Sequence, residues 1–149
     1  MTPPDGTINI LLVEDSPTDV QIARRALRRW SVPCSLHVVR DGEEALDFLY
    51  RRGRYQGQAD VPRPDIILLD LNLPKLSGHG VLQQIKQDEG LRRIPVVMFS
   101  ASEEEADIGV SYDLGANAYI SKSEDPATVQ TRLGAIESYW LKTARLPPQ

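Results

Sequence analysis

Two short apolar runs, Ile10-Leu11-Leu12-Val13 and Ile66-Ile67-Leu68-Leu69, stop abruptly at carboxylates: Glu14-Asp15 after the first, Asp70 after the second. Four apolar residues without alternation read as a strand buried on both faces, as in a parallel sheet covered by helices. Segments with helical spacing separate such runs, so the chain alternates strand and helix about five times. That alternation predicts an α/β fold with a parallel sheet and helices on both of its faces.

The predicted strands span about 8–14, 35–39, 65–70, 95–99 and 118–121. Ser16-Pro17-Thr18-Asp19 opens the first helix, with Ser16 as N-cap, Pro17 at the first helical position and an acid in the first turn. Its apolar face is Val20, Ala23, Leu27 and Trp30. Asp41-Gly42-Glu43-Glu44 caps the second helix, which is expected to bury Ala45, Phe48 and Leu49. The third helix is predicted over about 78–89, with Val81, Leu82 and Ile85 inward. Ser102-Glu103-Glu104-Glu105 carries a capping signature for the fourth. Asp125-Pro126 starts the fifth, whose stripe is Val129, Leu133, Ile136 and Trp140. Residues 53–64, rich in Gly, Pro and polar side chains, read as a surface loop, and Leu146-Pro147-Pro148-Gln149 cannot extend a helix.

In folds of this kind ligands sit beyond the carboxyl ends of the strands. Glu14, Asp15 and Asp70 all lie there. With the first and third strands side by side, the three carboxylates converge and repel unless a proton or a cation intervenes. Oxygen ligands suit a hard divalent cation such as Mg²⁺. A carboxylate beside such a cation is a competent acceptor for a phosphoryl group.

Composition narrows the class. The 149 residues suffice for one domain with a proper core. A net charge of −4, with no basic patch or helix-turn-helix, argues against nucleic-acid binding. Cys34 is the only cysteine, so no intramolecular disulfide forms, and a reducing compartment is expected. No secretory signal and no membrane-spanning run is evident, which makes a cytoplasmic protein the expectation. His37 and His79 have no metal-ligand spacing with each other or with Cys34. Arg24, Arg25, Arg28 and Arg29 lie off the apolar stripe of the first helix, as a solvated face or a partner surface. Arg51, Arg52 and Arg54 read as a solvated helix end that favours the helix dipole.

Taken in order, Glu14-Asp15, PDIILLDLNLPKLSG at 64–78, PVVMFSAS at 95–102 and GANAYISK at 115–122 resemble the receiver domain of two-component response regulators. The resemblance covers about residues 8–140 of a single domain, 1–149. It implies a flavodoxin-like, doubly wound, five-stranded parallel sheet in the order 2-1-3-4-5 with five helices. It also implies a phosphorylation-dependent signalling switch rather than an enzyme, with only metal-assisted self-phosphorylation and slow self-dephosphorylation of its own. Asp70 would accept the phosphoryl group from a histidine kinase. Glu14, Asp15, Asp70 and the backbone carbonyl of Asn72 would hold Mg²⁺. Ser100 and Lys122 would bind the phosphoryl oxygens, and Ser100 and Tyr119 would form the switch. Asn72 and Ser102 match positions that tune dephosphorylation.

The long loop before the third strand and the ending ESYWLKTARLP are similar to single-domain regulators paired with phytochrome-type histidine kinases. The implied partners are such a kinase, a downstream protein target, and a second copy through the fourth helix, fifth strand and fifth helix, with Tyr139 and Trp140 available to that contact. In one respect the chain departs from the family. Ser123 follows Lys122 where a proline, often with a cis peptide bond, is usual, so the Lys122 loop is expected either to carry strain or to differ. The alternative reading is a pseudo-receiver that keeps the fold and binds partners without phosphate turnover. A flavodoxin-like or nucleotide-using enzyme is disfavoured, because the first strand–helix turn, Glu-Asp-Ser-Pro, lacks the glycines of a phosphate-cradling loop.

Overall fold

The computed structural model describes residues 6–148. Residues 1–5 of the amino-terminal extension and Gln149 of the tail lie outside them. The strands are β1 (Ile8–Val13), β2 (Cys34–Val39), β3 (Ile66–Leu69), β4 (Val96–Ser100) and β5 (Ala118–Ser121). The helices are α1 (Pro17–Arg28), α2 (Gly42–Tyr50), α3 (Gly78–Gln87), α4 (Glu105–Asp113) and α5 (Pro126–Ile136). All strand pairs are parallel, in the order β2-β1-β3-β4-β5.

Strand side chains alternate between two apolar layers, which is why the runs show no polar face. Leu11, Val13, Ile67, Leu69, Val96 and Met98 join α2 and α3. Ile10, Leu12, Ile66, Leu68, Val97 and Phe99 join α1 and α5. Each fully buried Leu or Ile contributes on the order of 1.5–3 kcal/mol, so these short central strands are strongly anchored. Trp30 lies in the α1/α5 layer, and Trp140 is partly buried against the same layer.

Three helix starts form as the sequence predicts. Ser16 Oγ accepts the Asp19 N–H at 3.3 Å. Asp41 Oδ1 accepts the Glu44 N–H at 2.7 Å, and the Glu44 carboxylate reaches back to the Arg40 N–H at 3.0 Å. Asp125 Oδ1 accepts the Ala127 N–H at 3.2 Å.

The start of α4 differs from expectation. Its N-cap is Glu104, which makes no side-chain capping bond. Ser102 instead accepts the Glu104 N–H at 3.3 Å and donates to Asp107 Oδ2 at 2.5 Å. Ser102 lies two positions before the N-cap Glu104 rather than at it, so the reciprocal capping box cannot close.

Other local differences have equally local causes. The stripe predicted to run through Trp140 is interrupted, because α5 ends at Ile136 and a π-helical turn covers Glu137–Leu141. Buried Glu137 accepts the Val32 N–H at 2.8 Å and ties that turn to the α1–β2 loop. In α2, Leu46 is buried beside Ala45 and Phe48, while Leu49 is only partly covered. Within residues 53–64, Gly53–Tyr55 forms a 3₁₀ turn and Val61 is buried. Tyr55 packs on the α2/α3 layer and its hydroxyl donates to Glu44 Oε2 at 2.6 Å.

The arginines after α2 lie past its last turn rather than on it. Arg52 pairs with Asp47 at 2.9 Å and Arg54 with Glu44 at 3.4 Å. On α1, Arg25, Arg28 and Arg29 are exposed and Arg24 is half-buried. His37 meets Asn9 Oδ1 at 3.3 Å and His79 meets Ser111 Oγ at 2.9 Å. Among the described residues, no helix is long and apolar enough to cross a membrane.

Candidate metal and phosphoryl site

The register of β1 and β3 builds the acidic corner. Val13 pairs with Leu69, so the residues that follow, Glu14 and Asp70, emerge side by side. Their backbones extend the ladder: the Glu14 N–H bonds to Val39 O at 2.9 Å and the Asp70 N–H to Val13 O at 3.1 Å. Glu14 and Asp70 are buried, whereas Asp15 is exposed. A carboxylate oxygen from each of Glu14, Asp15 and Asp70 lies within 4.8 Å of the other two. Gly78, the first residue of α3, rests on this corner. A Cβ there would collide with the Asp70 carbonyl oxygen, so only glycine lets the helix start so close.

Lys122 closes the corner from the end of β5. Its N–H bonds to Ser100 O at 2.8 Å, which continues the β4–β5 ladder by one residue. Its ammonium lies 2.5 Å from Glu14 Oε1, 3.0 Å from Asp70 Oδ2 and 3.0 Å from Asp19 Oδ2. The Phe99 ring lies beneath it, 5.5 Å from Nζ to centroid. The Lys122 side chain is only 11% exposed.

Burial works against the lysine's charge, but the carboxylates outweigh it and hold the ammonium above the ordinary lysine range. Burial pushes Glu14 up to about 7, against the pull of Lys122 and with the charge of Asp70 adding to the rise. Glu14 Oε1 meets Lys122 as an ion pair without hydrogen-bond alignment, and among the described residues no donor satisfies it.

The remaining predicted residues surround this corner. Ser100 is fully buried at the end of β4, and its Oγ accepts the Ser102 N–H at 3.3 Å. Half-buried Tyr119 donates its hydroxyl to Ser102 O at 2.8 Å. Exposed Asn72 directs its N–H toward Asp70 Oδ1 at 3.5 Å. Among the described residues there are no cis peptide bonds, so the Lys122–Ser123 bond is trans. Ser123 Oγ accepts the Asp125 N–H at 3.1 Å, which turns that side chain into the start of α5. Lys122 reaches the carboxylates without a proline after it.

Asp19 is the residue that sequence reasoning missed. Its acid is explained equally well by the helix dipole, which favours carboxylates in a first turn. The available signal was position: α1 starts at the carboxyl edge of the sheet, so its first turn borders the site.

Three clustered carboxylates, two of them buried and one oxygen lacking an aligned donor, fit a hard divalent cation such as Mg²⁺. A carboxylate flanked by that set and by a buried ammonium has what phosphoryl transfer requires, namely positioning and charge neutralisation.

Known proteins agree with this geometry. Residues 10–134 match the response regulator receiver domain family. The response regulator Rcp1 of Synechocystis sp. is 44% identical over 138 residues, covering 93% of this chain and 92% of that protein. The phosphorylated cyanobacterial phytochrome response regulator RcpA is 46% identical, with a TM-score of 0.88 over 95% of this chain and 99% of its own. The Mn²⁺-bound form of Rcp1 is 42% identical, with a TM-score of 0.87 over the same shares. With the fold, the strand order and the acidic corner all in agreement, the chain belongs to the response regulator receiver domain family.

Proposed function

We propose that this receiver domain carries its phosphorylation switch on Asp70. The observation behind the reading is the Lys122 ammonium, 3.0 Å from Asp70 Oδ2, beside the Glu14–Asp15–Asp70 cluster. A carboxylate oxygen of Asp70 attacks the phosphorus of a phosphohistidine in line. The phosphorus–nitrogen bond breaks, the imidazole leaves with its electron pair, and an acyl phosphate forms on Asp70.

Glu14, Asp15, Asp70 and the Asn72 carbonyl would hold Mg²⁺, which supplies charge neutralisation at the phosphoryl oxygens. Lys122 offers a compact positive charge to one of those oxygens and the Ser100 hydroxyl donates to another. Drawing Ser100 toward the phosphoryl group disturbs its bond with Ser102, whose carbonyl holds Tyr119. Ser100 and Tyr119 thereby couple the site to α4, β5 and α5. Asn72 and Ser102 flank the route of attacking water and set the rate of self-dephosphorylation.

The partner that supplies the phosphoryl group is a histidine kinase. Likeness to a phytochrome response regulator points to a phytochrome-type kinase. Output runs through protein contacts in the cytoplasm, on a face that also supports a homodimer involving Tyr139 and Trp140. The whole described chain acts as one receiver domain. The pseudo-receiver alternative is not favoured, because Lys122 and the acids converge despite Ser123.

The deciding experiment is intact-protein mass after incubation with Mg²⁺ and a small phosphodonor. Wild type gains one phosphoryl group, and Asp70→Asn and chelated wild type gain none. Unlabelled wild type beside a labelled control receiver would restore the pseudo-receiver. A kinase panel without preference for phytochrome-type kinases would remove that partner. A monomer at high concentration, with and without a phosphoryl mimic, would remove the dimer.

A further inference from the structure

Lys122 is surrounded by more anions than contact with a phosphoryl group requires. Two of its three carboxylates, Glu14 and Asp70, belong to the set that suits a divalent cation. The third, Asp19, does not. It comes from the first turn of α1, and its side chain is 32% exposed at the rim of the site. An ammonium and a divalent cation repel each other, so they cannot both be centred on Glu14 and Asp70.

Nothing in the β5–α5 loop fixes the ammonium. The Lys122 N–H is spent on Ser100 O, and Ser123 Oγ is spent on the Asp125 N–H. The ammonium's own partners are three carboxylates and the Phe99 ring. Asp19 is the carboxylate with a rigid seat outside the metal set. Its N–H is held by Ser16 Oγ at 3.3 Å, just after Pro17.

We infer that Asp19 is a positioning residue for Lys122, the anionic partner outside the metal set to which the ammonium turns when Glu14 and Asp70 take up a divalent cation. The inference rests on the reading of this corner as the metal and phosphoryl site. Without Asp19 the ammonium has only Glu14 and Asp70 as carboxylate partners and competes with the metal for them. With Asp19 both charges are accommodated, and Lys122 keeps an anionic partner when the other two acids turn to the cation.

A double-mutant cycle on metal binding tests this, with Mn²⁺ titrated against the full chain and free Mn²⁺ read by electron paramagnetic resonance. The proteins are wild type, Asp19→Asn, Lys122→Met and the double variant. Asp19→Asn should weaken Mn²⁺ binding at least about threefold when Lys122 is present and leave it nearly unchanged in Lys122→Met, a non-additivity expected of groups in contact. Asp19→Glu, which keeps the charge, should recover most of the loss.

An equal loss in both backgrounds would make Asp19 a through-space charge and overturn the inference, as would no loss in wild type. Should Lys122→Met fail to fold, Lys122→Gln replaces it in the cycle. The readout is independent of phosphoryl transfer. An intact cycle with an unlabelled Asp70 supports Asp19 and removes only the phosphoacceptor, while a labelled Asp70 with an additive cycle does the reverse.

Discussion

Two lysines are drawn into the edges of this sheet, one at each end, and their surroundings move them in opposite directions. At the carboxyl end Lys122 sits among three carboxylates, and its ammonium is held above the ordinary range. At the amino end Lys86 donates to Arg92 O, Ile94 O and Asn117 Oδ1 at 2.9, 2.8 and 3.2 Å, with no acid among these partners. Burial pulls Lys86 down to about 8. Carbonyl dipoles repay part of the lost hydration, while carboxylates repay more than all of it. Lys86 braces an edge where its partners include no acid, whereas Lys122 shares two of its acids with a cluster that suits a divalent cation.

The contrast can be broken from either end. Lys122→Met leaves Glu14 and Asp70 crowded without their cation and should destabilise the metal-free protein by about 3 kcal/mol. Mg²⁺ should return much of that loss, as read by urea denaturation with and without the metal. Lys86→Met removes the shared donor of three acceptors at a less crowded edge, where Asn117 Oδ1 keeps the Val96 N–H at 2.9 Å. The same denaturation series should show a loss of about 1–2 kcal/mol that Mg²⁺ does not alter.

Helix starts at the site edge repeat the contrast on a smaller scale. Ser16→Ala removes the side-chain cap of α1 and should cost about 1 kcal/mol. Glu104→Ala, at an N-cap that makes no such bond, should stay within about 0.5 kcal/mol.

The smallest effect is a slope with pH. The folded value of Lys86 lies below the unfolded 10.5, so the penalty of charging it is fully present below about pH 8. It is relieved as pH rises from 8 toward 10.5. Wild type should therefore gain stability relative to Lys86→Met across that window, and parallel curves would place the Lys86 ammonium in water.

What could be read without coordinates follows the same division. The acids after Val13 and Leu69 were legible because an unbroken apolar run fixes where a strand ends and which edge of the sheet it reaches. Receiver-family resemblance then named Lys122, and its place at a strand end made that assignment physical. Asp19 was not legible, since an acid in a first turn already has a sufficient local reason. Ser102 looked like a cap because its spacing to Glu105 matches a capping box, but its hydroxyl turned to Asp107. The π-helical turn after Ile136 was invisible to a 3.6-residue stripe, because long-range contact with Glu137, not local periodicity, accompanies it. Tyr55 and Val61 were hidden in a polar stretch whose composition speaks only for its majority.

Both tryptophans pack on the same side of the sheet, against α1 and α5. The Trp30 indole N–H is buried and makes no hydrogen bond among the described residues. Tryptophan emission from this protein is therefore a gauge of one layer only. It registers loss of the α1/α5 layer on global unfolding, and its changes belong to that layer rather than to α4, which carries no indole. A probe for the proposed switching face has to be added there, for example a fluorinated tyrosine at Tyr119, which leaves the two native tryptophans as an internal record that the fold is intact.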